Sequence, residues 1–513
     1  MTWNILLPQG NESLKCRWDI VPYTRGRGID VGCGSTKLFA HFIGVDNMRD
    51  TRLFQAAMDP DIVADAMDMP FFTSGSLDFV FSSHTLEHIE DHVKALTEWW
   101  RVVKQDGHLV LYLPHADFYP RIGEKGSNDD HKHDFLPDDI VKTMAEIGNW
   151  DLVVREERDG GDEYSMLLVF RKKAAGHEES WKAPEPARTC AICRFGAWGD
   201  AIQMSSILPG LKDQGYHITL YTTSQGLEVV KHEPLIDRVI LQDHDQVPNP
   251  LLGEYWAHIK TKYTKWINLS ESVETQFLAM PGRVVYTWPQ EARHQIMNEN
   301  YGETLHLIAG VPYTEPQSRF VATKEESMWA DDQVIKVAGH PIIMMVLAGS
   351  AIHKLYPHVD KVLEGILSQY PSAKIITVGS KNEQDLIEPP WADQPRILCR
   401  SGVWSIRETM VMAARCDMVI GPETGVMNSV AMNVMPKIIF LSHSSEHNLT
   451  RDWVNTTALS SQHTPCHPCH KMVYTWDQCV KDDTGTAKCM ADIPYTTVLN
   501  AVNMNLPRQR EAA

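Results

Sequence analysis

Short apolar runs alternate with helix-like amphipathic stretches along most of the chain. The clearest runs cover residues 28–31, 79–82, 108–113, 167–171, 189–194, 218–222, 266–269, 342–347, 374–378, 418–420 and 437–441. Strand–helix alternation of this kind predicts an α/β fold, in which parallel sheets carry helices on both faces.

One polar segment interrupts the alternation. Residues 172–188 (KKAAGHEESWKAPEPAR) contain two prolines and separate two regions that each show strands and helices. A charged break near residues 322–338 would divide the longer second region into two similar lobes. The predicted division is therefore a domain at 1–172, a linker at 173–188, and lobes at 189–330 and 331–513.

Composition narrows the class of protein. With 513 residues the chain is too long for one core, and its 43% hydrophobic content is ordinary for a soluble protein. A net charge of −18 argues against a nucleic-acid partner, because phosphates would be repelled. The sequence has neither a signal-peptide pattern at its start nor about 18 uninterrupted apolar residues, so we expect a cytoplasmic protein without a membrane span. Peripheral membrane contact stays open.

A glycine turn follows the first apolar run. Gly28–Gly34 reads GIDVGCG, and glycines there let the backbone pass close to a ligand. The second strand ends in Asp46, a position where doubly wound folds bind ribose hydroxyls. A third strand ends in Asp65, whose carboxylate can accept a hydrogen bond from an adenine amine.

Together with the strands near 77–83 and 108–110, this succession resembles the class I S-adenosyl-L-methionine-dependent methyltransferases of the small-molecule (type 11) kind, over residues 15–172. The resemblance implies a Rossmann-like domain and S-adenosyl-L-methionine as cofactor. The cofactor contacts that it implies are Asp30, Gly32, Cys33, Gly34, Asp46, Asp65, Ala66 and Ser83. Two departures stand out: Ser35-Thr36-Lys37 replaces the usual third glycine, and the first helix is cut short.

Histidines supply candidate bases for methyl transfer. The reaction needs positioning and, for a poor nucleophile, a general base, for which His84 and His88 are candidates. Residues 130–134 (DHKHD) are a further candidate and also have a metal-like composition. The alternative is that His88 caps or packs a helix and that 130–134 is a solvated loop. The methyl acceptor is not readable from the sequence.

The second region carries two glycine turns and a lysine turn. After the run at 189–194, Asp200 falls near a helix start, where a carboxylate is stabilised even as a simple cap. The segment Leu347–Pro357 (LAGSAIHKLYP) ends a strand in a small polar turn with Lys354, which suits a diphosphate. The run at 418–420 leads into Glu423–Asn428 (ETGVMN).

These motifs resemble glycosyltransferase family 9, the heptosyltransferase-like enzymes of GT-B fold, over residues 189–505. The resemblance implies inverting transfer of a heptose-like sugar from a nucleotide-diphosphate sugar to a glycan or lipopolysaccharide-like acceptor. Asp200 would be the general base, and Lys354 would neutralise the leaving diphosphate. The donor contacts implied are Gly349, Ser350, Lys354, Glu423, Thr424 and Gly425. Trp266–Ser270 and Glu274 resemble an acceptor-lobe segment of the family.

Two substitutions leave part of this interpretation open. Glu423 and Asn428 stand where the family's D-T-G-x-M-H element has aspartate and histidine. The nucleotide, the sugar and the retention of activity are therefore not determined by the motif.

Cysteines cluster near the C-terminus. Within the Cys/His-rich segment 463–489 the spacing is C-x2-C-x9-C-x9-C, formed by Cys466, Cys469, Cys479 and Cys489. Thiolates with nearby imidazoles suit a structural zinc ion. Reduced thiols and disulfides are the alternatives.

The two resemblances together predict a bifunctional enzyme that modifies a glycan by methyl and sugar transfer. One alternative is a phage-type enzyme that glycosylates and methylates a nucleic-acid base. Another is a non-catalytic nucleotide-binding scaffold with a decayed GT-B site.

Overall fold

The computed structural model describes residues 12–34, 37–47, 60–179, 187–270, 278–314, 318–475 and 478–506. It divides into two compact units. Unit 1 contains residues 1–187 and 241–262, and unit 2 contains residues 188–240 and 263–513. The finer division at 172/173, 188/189 and 330/331 stays a prediction.

The described helices are spread over both units. In chain order they are α1 (Ser13–Cys16), α2 (His92–Val102), α3 (Pro137–Ile147), α4 (Trp198–Met204), α5 (Leu208–Asp213), α6 (Ser224–Val230), α7 (Leu252–Thr261), α8 (Gln290–Met297), α9 (Tyr301–Ala309), α10 (Lys324–Val337), α11 (Val359–Gln369), α12 (Lys381–Leu386), α13 (Ile406–Ala413), α14 (Gly425–Ser429), α15 (Lys488–Ala491) and α16 (Tyr495–Asn505). None of the helices in the described ranges is long and apolar enough to cross a membrane.

Unit 1 is built around one eight-stranded sheet. Its strands are β1 (Gly28–Val31), β2 (Ile43–Asp46), β3 (Ile62–Val63), β4 (Leu77–Ser83), β5 (Val103–Pro114), β6 (Trp150–Arg158), β7 (Ser165–Lys172) and β8 (His177–Glu179). The order is β3-β2-β1-β4-β5-β7-β6-β8, and β7 runs antiparallel to both β5 and β6. Strand β1 pairs in parallel with both β2 and β4, so the carboxyl ends of these three strands lie along one edge of the sheet.

Helix α2 shows how local sequence fixes this unit. It begins after Asp91, whose side chain accepts a hydrogen bond from the Lys94 N–H at 2.9 Å. Its buried face carries Leu96 and Trp99 at helical spacing, and both belong to the core of the sheet. Strand β5 starts at Val103, directly after the helix, and Asp106 adopts a φ of 61° within it.

Unit 2 contains a four-stranded and a six-stranded sheet. The first consists of β9 (Thr189–Cys193), β10 (His217–Thr222), β11 (Arg238–Leu241) and β12 (Lys265–Asn268) in the order β11-β10-β9-β12. The second consists of β13 (Ile342–Val346), β14 (Lys374–Val378), β15 (Ile397–Cys399), β16 (Met418–Pro422), β17 (Lys437–Leu441) and β18 (Thr456–Ser460) in the order β15-β14-β13-β16-β17-β18. The strand pairs of the six-stranded sheet are parallel.

Strand β13 shows why the six-stranded sheet is covered on both faces. All five of its residues are buried. Met344 packs into one apolar cluster, whereas its neighbours Ile343 and Met345 pack into another. Alternate side chains of a strand point to opposite faces, so helices cover both sides, as the predicted α/β class requires. That class is confirmed.

Candidate functional site

The turn after β1 depends on its glycines. Gly32 has a φ of +75°, and a Cβ there would lie 2.1 Å from Thr85 Oγ1, so a side chain does not fit. Gly34 has a φ of +59°, and a Cβ there would meet no described atom within 4 Å. The described residues between β1 and β2 form turns and no helix, in agreement with the shortened first helix. The loop is therefore tight at Gly32, where a side chain does not fit.

Two predicted cofactor carboxylates meet at this loop. Asp30 is 4% exposed and accepts a hydrogen bond from the Leu38 N–H at 3.1 Å. Burial raises the pKa of Asp30 to about 7; the Leu38 N–H opposes the shift and nearby Asp46 adds to it. Asp46 accepts a hydrogen bond from the Gly34 N–H at 3.0 Å. The fold thus brings the loop and the acidic end of β2 together.

The remaining predicted cofactor residues lie at neighbouring strand ends. The Asp65 carboxylate accepts from the Met67 N–H at 2.9 Å, and the Ala66 carbonyl accepts from the Trp99 indole at 2.9 Å. Ser83 ends β4, and its buried hydroxyl has no hydrogen-bond partner among the described residues. Cys33 is half-buried, and burial raises the pKa of its thiol to about 12. Their roles toward a cofactor stay predictions.

The histidines proposed as bases follow β4. His84 has a φ of 47°, and its Nε2 lies 3.0 Å from Ser165 Oγ. Burial lowers the pKa of His84 to about 3, so its ring is neutral and weakly basic. His88 lies on the short 3₁₀ turn Leu86–His88. The buried Glu87 lies between them in sequence and is not among the predicted site residues, although a carboxylate next to histidines is itself a recognisable signal.

Unit 2 encloses a cavity of about 380 Å³ between the ends of its two sheets. Every residue predicted to contact the donor lines it, as does the predicted base; these are Asp200, Gly349, Ser350, Lys354, Glu423, Thr424 and Gly425. The volume is in the range of small-molecule sites, which is about 300–1,000 Å³. Residues that are distant in sequence therefore share one space.

Asp200 occupies the first turn of α4. One oxygen accepts from the Ala197 N–H at 2.8 Å, and the other pairs with the Arg194 guanidinium at 2.7 Å. Arg194 is 2% exposed, while the Asp200 side chain is 30% exposed. The capping role that was the alternative interpretation is thus present, and the carboxylate still reaches the cavity.

Lys354 and Glu423 are opposite charges buried in the cavity wall. Lys354 is 7% exposed; burial lowers the pKa of its amine, while Glu423 and Asp200 act to raise it. A Cβ on Gly349 would lie 2.6 Å from Lys354 Cδ, so this turn needs glycine to admit the lysine.

Glu423 is held by the segment after β17. Its oxygens accept from the Ser444 hydroxyl at 2.7 Å, the His443 N–H at 3.1 Å and the Ser442 backbone N–H. Burial would raise the pKa of Glu423, but the charges of His443 and Lys354 and these hydrogen bonds outweigh it and hold the pKa below its usual range. Burial also lowers the pKa of His443, to about 4. The glutamate is therefore ionised; one of its oxygens lies 3.2 Å from His443 Nδ1, and its charge also acts on the buried Lys354.

The two glycine turns of unit 2 approach each other closely. A Cβ on Gly199 would lie 3.0 Å from Asn428 Nδ2, and a Cβ on Gly425 would lie 2.9 Å from Trp198 Cβ. The Gln203 amide donates to Asn428 Oδ1 at 2.9 Å. Asn428, which replaces the family's histidine, thus joins α4 to α14.

The four C-terminal cysteines are free thiols, Cys489 being buried and the others half-buried. Burial raises the pKa of Cys469 to about 12. A zinc ion bound by these four cysteines, Cys466, Cys469, Cys479 and Cys489, stays a prediction. The clustered set of three metal-type ligands found among the described residues does not include them and lies in unit 1. Glu274 lies outside the described residues.

One part of the chain matches a known sequence family. Residues 29–111 match a sequence family described as "Methyltransferase domain". No curated protein sequence matches the chain.

Solved structures resemble parts of the chain at low identity. A family 9 glycosyl transferase from Veillonella parvula is 14% identical, covering 63% of this chain and 98% of its own, with a TM-score of 0.46. The ADP-heptose lipopolysaccharide heptosyltransferase II of E. coli is 12% identical, covering 62% and 98%, with a TM-score of 0.44. A SAM-dependent methyltransferase from Archaeoglobus fulgidus is 17% identical, covering 31% and 92%, with a TM-score of 0.25. The N-terminal part of this α/β chain, at residues 29–111, is accordingly a methyltransferase domain.

Proposed function

We propose that the chain is a bifunctional transferase that transfers a sugar with unit 2 and a methyl group with unit 1, both to a glycan. The observation that carries the first activity is the shared cavity. Asp200 follows a strand of the four-stranded sheet and Lys354 follows a strand of the six-stranded sheet, yet both line the cavity. Direct displacement from a nucleotide-diphosphate sugar requires a general base for the acceptor hydroxyl and a cation for the leaving diphosphate, both facing the same cavity.

Each residue has a defined part in sugar transfer. Asp200 takes the proton of the acceptor hydroxyl, whose oxygen then attacks the anomeric carbon. The bond from that carbon to the diphosphate oxygen breaks with inversion, and the electron pair leaves with the diphosphate. Lys354 offsets the charge on the departing group, and Glu423 keeps the lysine ionised in its buried position.

The glycine loop of unit 1 carries polar groups that suit S-adenosyl-L-methionine. The carboxylates of Asp30 and Asp46, and the Ser83 hydroxyl, which has no hydrogen-bond partner in the described part of the chain, offer polar contacts to a ligand with ammonium and ribose groups. When bound, this cofactor supplies an electrophilic methyl group. Asp30 and Asp46 would hold its amino acid and ribose ends, while residues after β4 would face the acceptor.

Sugar transfer is tested with the purified full chain and ADP-, UDP-, GDP- and CDP-linked sugars, by measuring nucleotide release with a glycan acceptor. We expect one nucleotide class to react. Asp200→Asn is expected to lower kcat by about 10²–10⁴-fold and Lys354→Met by about 10²–10³-fold. Asp213→Asn, an exposed carboxylate in the same unit, is the matched control and should react like the wild type.

Two results would contradict the proposal. An Asp200→Asn variant as fast as the wild type would remove the assigned base. A wild type that binds a nucleotide but transfers no sugar would instead favour the nucleotide-binding scaffold. Salt-dependent transfer to DNA or RNA would favour the nucleic-acid alternative.

A further inference from the structure

Three side chains in unit 1 direct potential ligand atoms toward one point. Glu87, His88 and His131 each place one oxygen or ring nitrogen within 4.8 Å of the others. Glu87 and His88 lie on the turn directly after β4, while His131 comes from the segment between β5 and α3. The set therefore exists only in the folded chain.

Backbone hydrogen bonds fix the two segments against each other. The Lys132 N–H donates to the Glu87 carbonyl at 2.7 Å. The Nε2 atom of His133 lies 3.0 Å from the Ile89 carbonyl oxygen. Because both residues that follow His131 are thus bound to the segment that contains Glu87, the His131 imidazole is held beside the Glu87 carboxylate.

Glu87 gives the strongest indication that this cluster binds a cation. It is 1% exposed, and neither carboxylate oxygen has a hydrogen-bond partner among the described residues. The nearest basic atoms, His84 Nδ1 at 3.8 Å and His88 Nε2 at 3.9 Å, are too far for hydrogen bonds. A buried carboxylate whose oxygens lack partners among the described residues is costly. A cation at this point would remove the cost.

We propose that Glu87, His88 and His131 bind a divalent cation of the zinc, manganese or cobalt class. Two imidazoles and one carboxylate suit such borderline cations, whereas magnesium and calcium prefer all-oxygen sites. Three protein ligands also leave a coordination position for another molecule. His84 lies beside the set, with its Nδ1 3.8 Å from Glu87, but is not one of the three clustered groups.

The position of the cluster suggests what takes the open position. It lies at the carboxyl end of β4, next to Ser83, on the sheet edge that carries the glycine loop. An oxygen of the methyl acceptor, such as a sugar hydroxyl, would bind there and become more acidic. This consequence rests on the proposed methyl transfer, whereas cation binding by the cluster does not.

The test measures metal alone, with the full chain. Wild type, Glu87→Gln and His131→Ala are dialysed against Co²⁺, and bound metal is counted by elemental analysis and by visible absorption of the cobalt. His92→Ala is the matched control, since His92 sits 4.5 Å from the His133 ring in a histidine pair that lies outside the cluster. Circular dichroism checks that each variant is folded.

We expect Glu87→Gln and His131→Ala each to bind one cobalt equivalent fewer than wild type, and His92→Ala to bind the same number. Cobalt at the C-terminal cysteines would give thiolate charge-transfer absorption in the near ultraviolet and would persist in every variant. Unchanged cobalt equivalents in both cluster variants would overturn the proposal. If Glu87→Gln does not fold, the half-exposed His88→Ala is measured beside His131→Ala and decides the question. Normal cobalt binding without methyl transfer would speak against the proposed function alone.

Discussion

Three buried carboxylates of this chain show how environment sets the state of one chemical group. Burial raises the pKa of Asp30 to about 7 and that of Glu87 to about 8. Glu423 is as deeply buried, yet the charges of His443 and Lys354 and the donors of residues 442–444 outweigh burial and hold its pKa below the usual range. The number of partners in reach, more than depth, decides whether the group is charged.

Asp30 predicts a pH dependence of stability. Its pKa is about 7 in the folded chain against 3.8 for an ordinary aspartate. Between these values the unfolded chain binds fewer protons, so the free energy of unfolding falls as pH rises. The loss is up to about 4 kcal/mol. Asp30→Asn should flatten the slope in denaturant unfolding of the ligand-free chain, and Asp138→Asn, whose side chain is 82% exposed, should not. Parallel slopes for Asp30→Asn and wild type would contradict this.

For Glu423 we predict the opposite pH dependence, in which the free energy of unfolding falls as pH falls. Since its folded pKa is depressed, its stabilisation is present above pH ~4.5 and is lost as pH falls further. Glu423→Gln removes the buried negative charge that faces His443 and the donors of residues 442–444 and acts on the buried Lys354, and should lower the free energy of unfolding at neutral pH by about 3 kcal/mol. Denaturant titration measures the change. The exposed Glu446→Gln is the control and should stay within about 0.5 kcal/mol; an equal effect of the two would refute the argument.

At the scale of elements, the candidate sites all lie where parallel strands end. In unit 1 the relevant turns follow β1, β2 and β4, and in unit 2 they follow β9, β13 and β16. Parallel pairing places these ends on the same edge of each sheet, so short turns suffice to collect site residues. The helices contribute mainly by fixing the turns, as the Trp99 indole of α2 does for Ala66.

Helix α7 is an element whose anchoring can be tested. It belongs to unit 1, where Asp19 binds His258 Nε2 at 2.7 Å, Arg158 Nη2 at 2.8 Å and the Lys262 ammonium. Asp19→Asn removes a buried charge from three basic partners and should lower the free energy of unfolding by about 3 kcal/mol. Trypsin should also cleave faster after Lys260 and Lys262.

The same helix supplies the control for that experiment. Glu254→Gln breaks the ion pair with Arg17, but its side chain is 61% exposed. An exposed pair contributes at most about 1 kcal/mol, so trypsin sensitivity should not change. If Asp19→Asn and Glu254→Gln behave alike, the buried network does not anchor α7.

At the scale of the whole molecule, two compact units carry different candidate ligands. S-adenosylhomocysteine at about 100 times its dissociation constant should stabilise unit 1 by roughly 2.7 kcal/mol, and one nucleoside diphosphate should do the same for unit 2. Each raises the Tm of its own transition by a few degrees. Lys354→Met should abolish the nucleotide shift and keep the S-adenosylhomocysteine shift. A nucleotide shift of equal size in Lys354→Met would show that the cavity is not its site.

The sequence by itself determined the strands and the turns of this protein. Each apolar run predicted as a strand lies in one, to within a residue at its end. The strands it missed are β6, which is partly polar and exposed, the short edge strand β8, and β11, β15 and β18, none of which is a continuously buried apolar run. The third strand was predicted to reach Asp65, but β3 ends at Val63. The glycine turns and the cavity residues Asp200 and Lys354 were also predicted, because local pattern and motif spacing encode them.

Tertiary structure alone decided which distant groups meet. It placed His131 beside Glu87, the donors of residues 442–444 around Glu423, and Gln203 against Asn428. It also placed residues 241–262 in unit 1, although the residues before and after them in sequence belong to unit 2. Periodicity reports only neighbours within a few positions, whereas these contacts join segments whose approach depends on sheet order and loop path. Burial follows from the same packing, so the charge state of each carboxylate was fixed only in the folded chain.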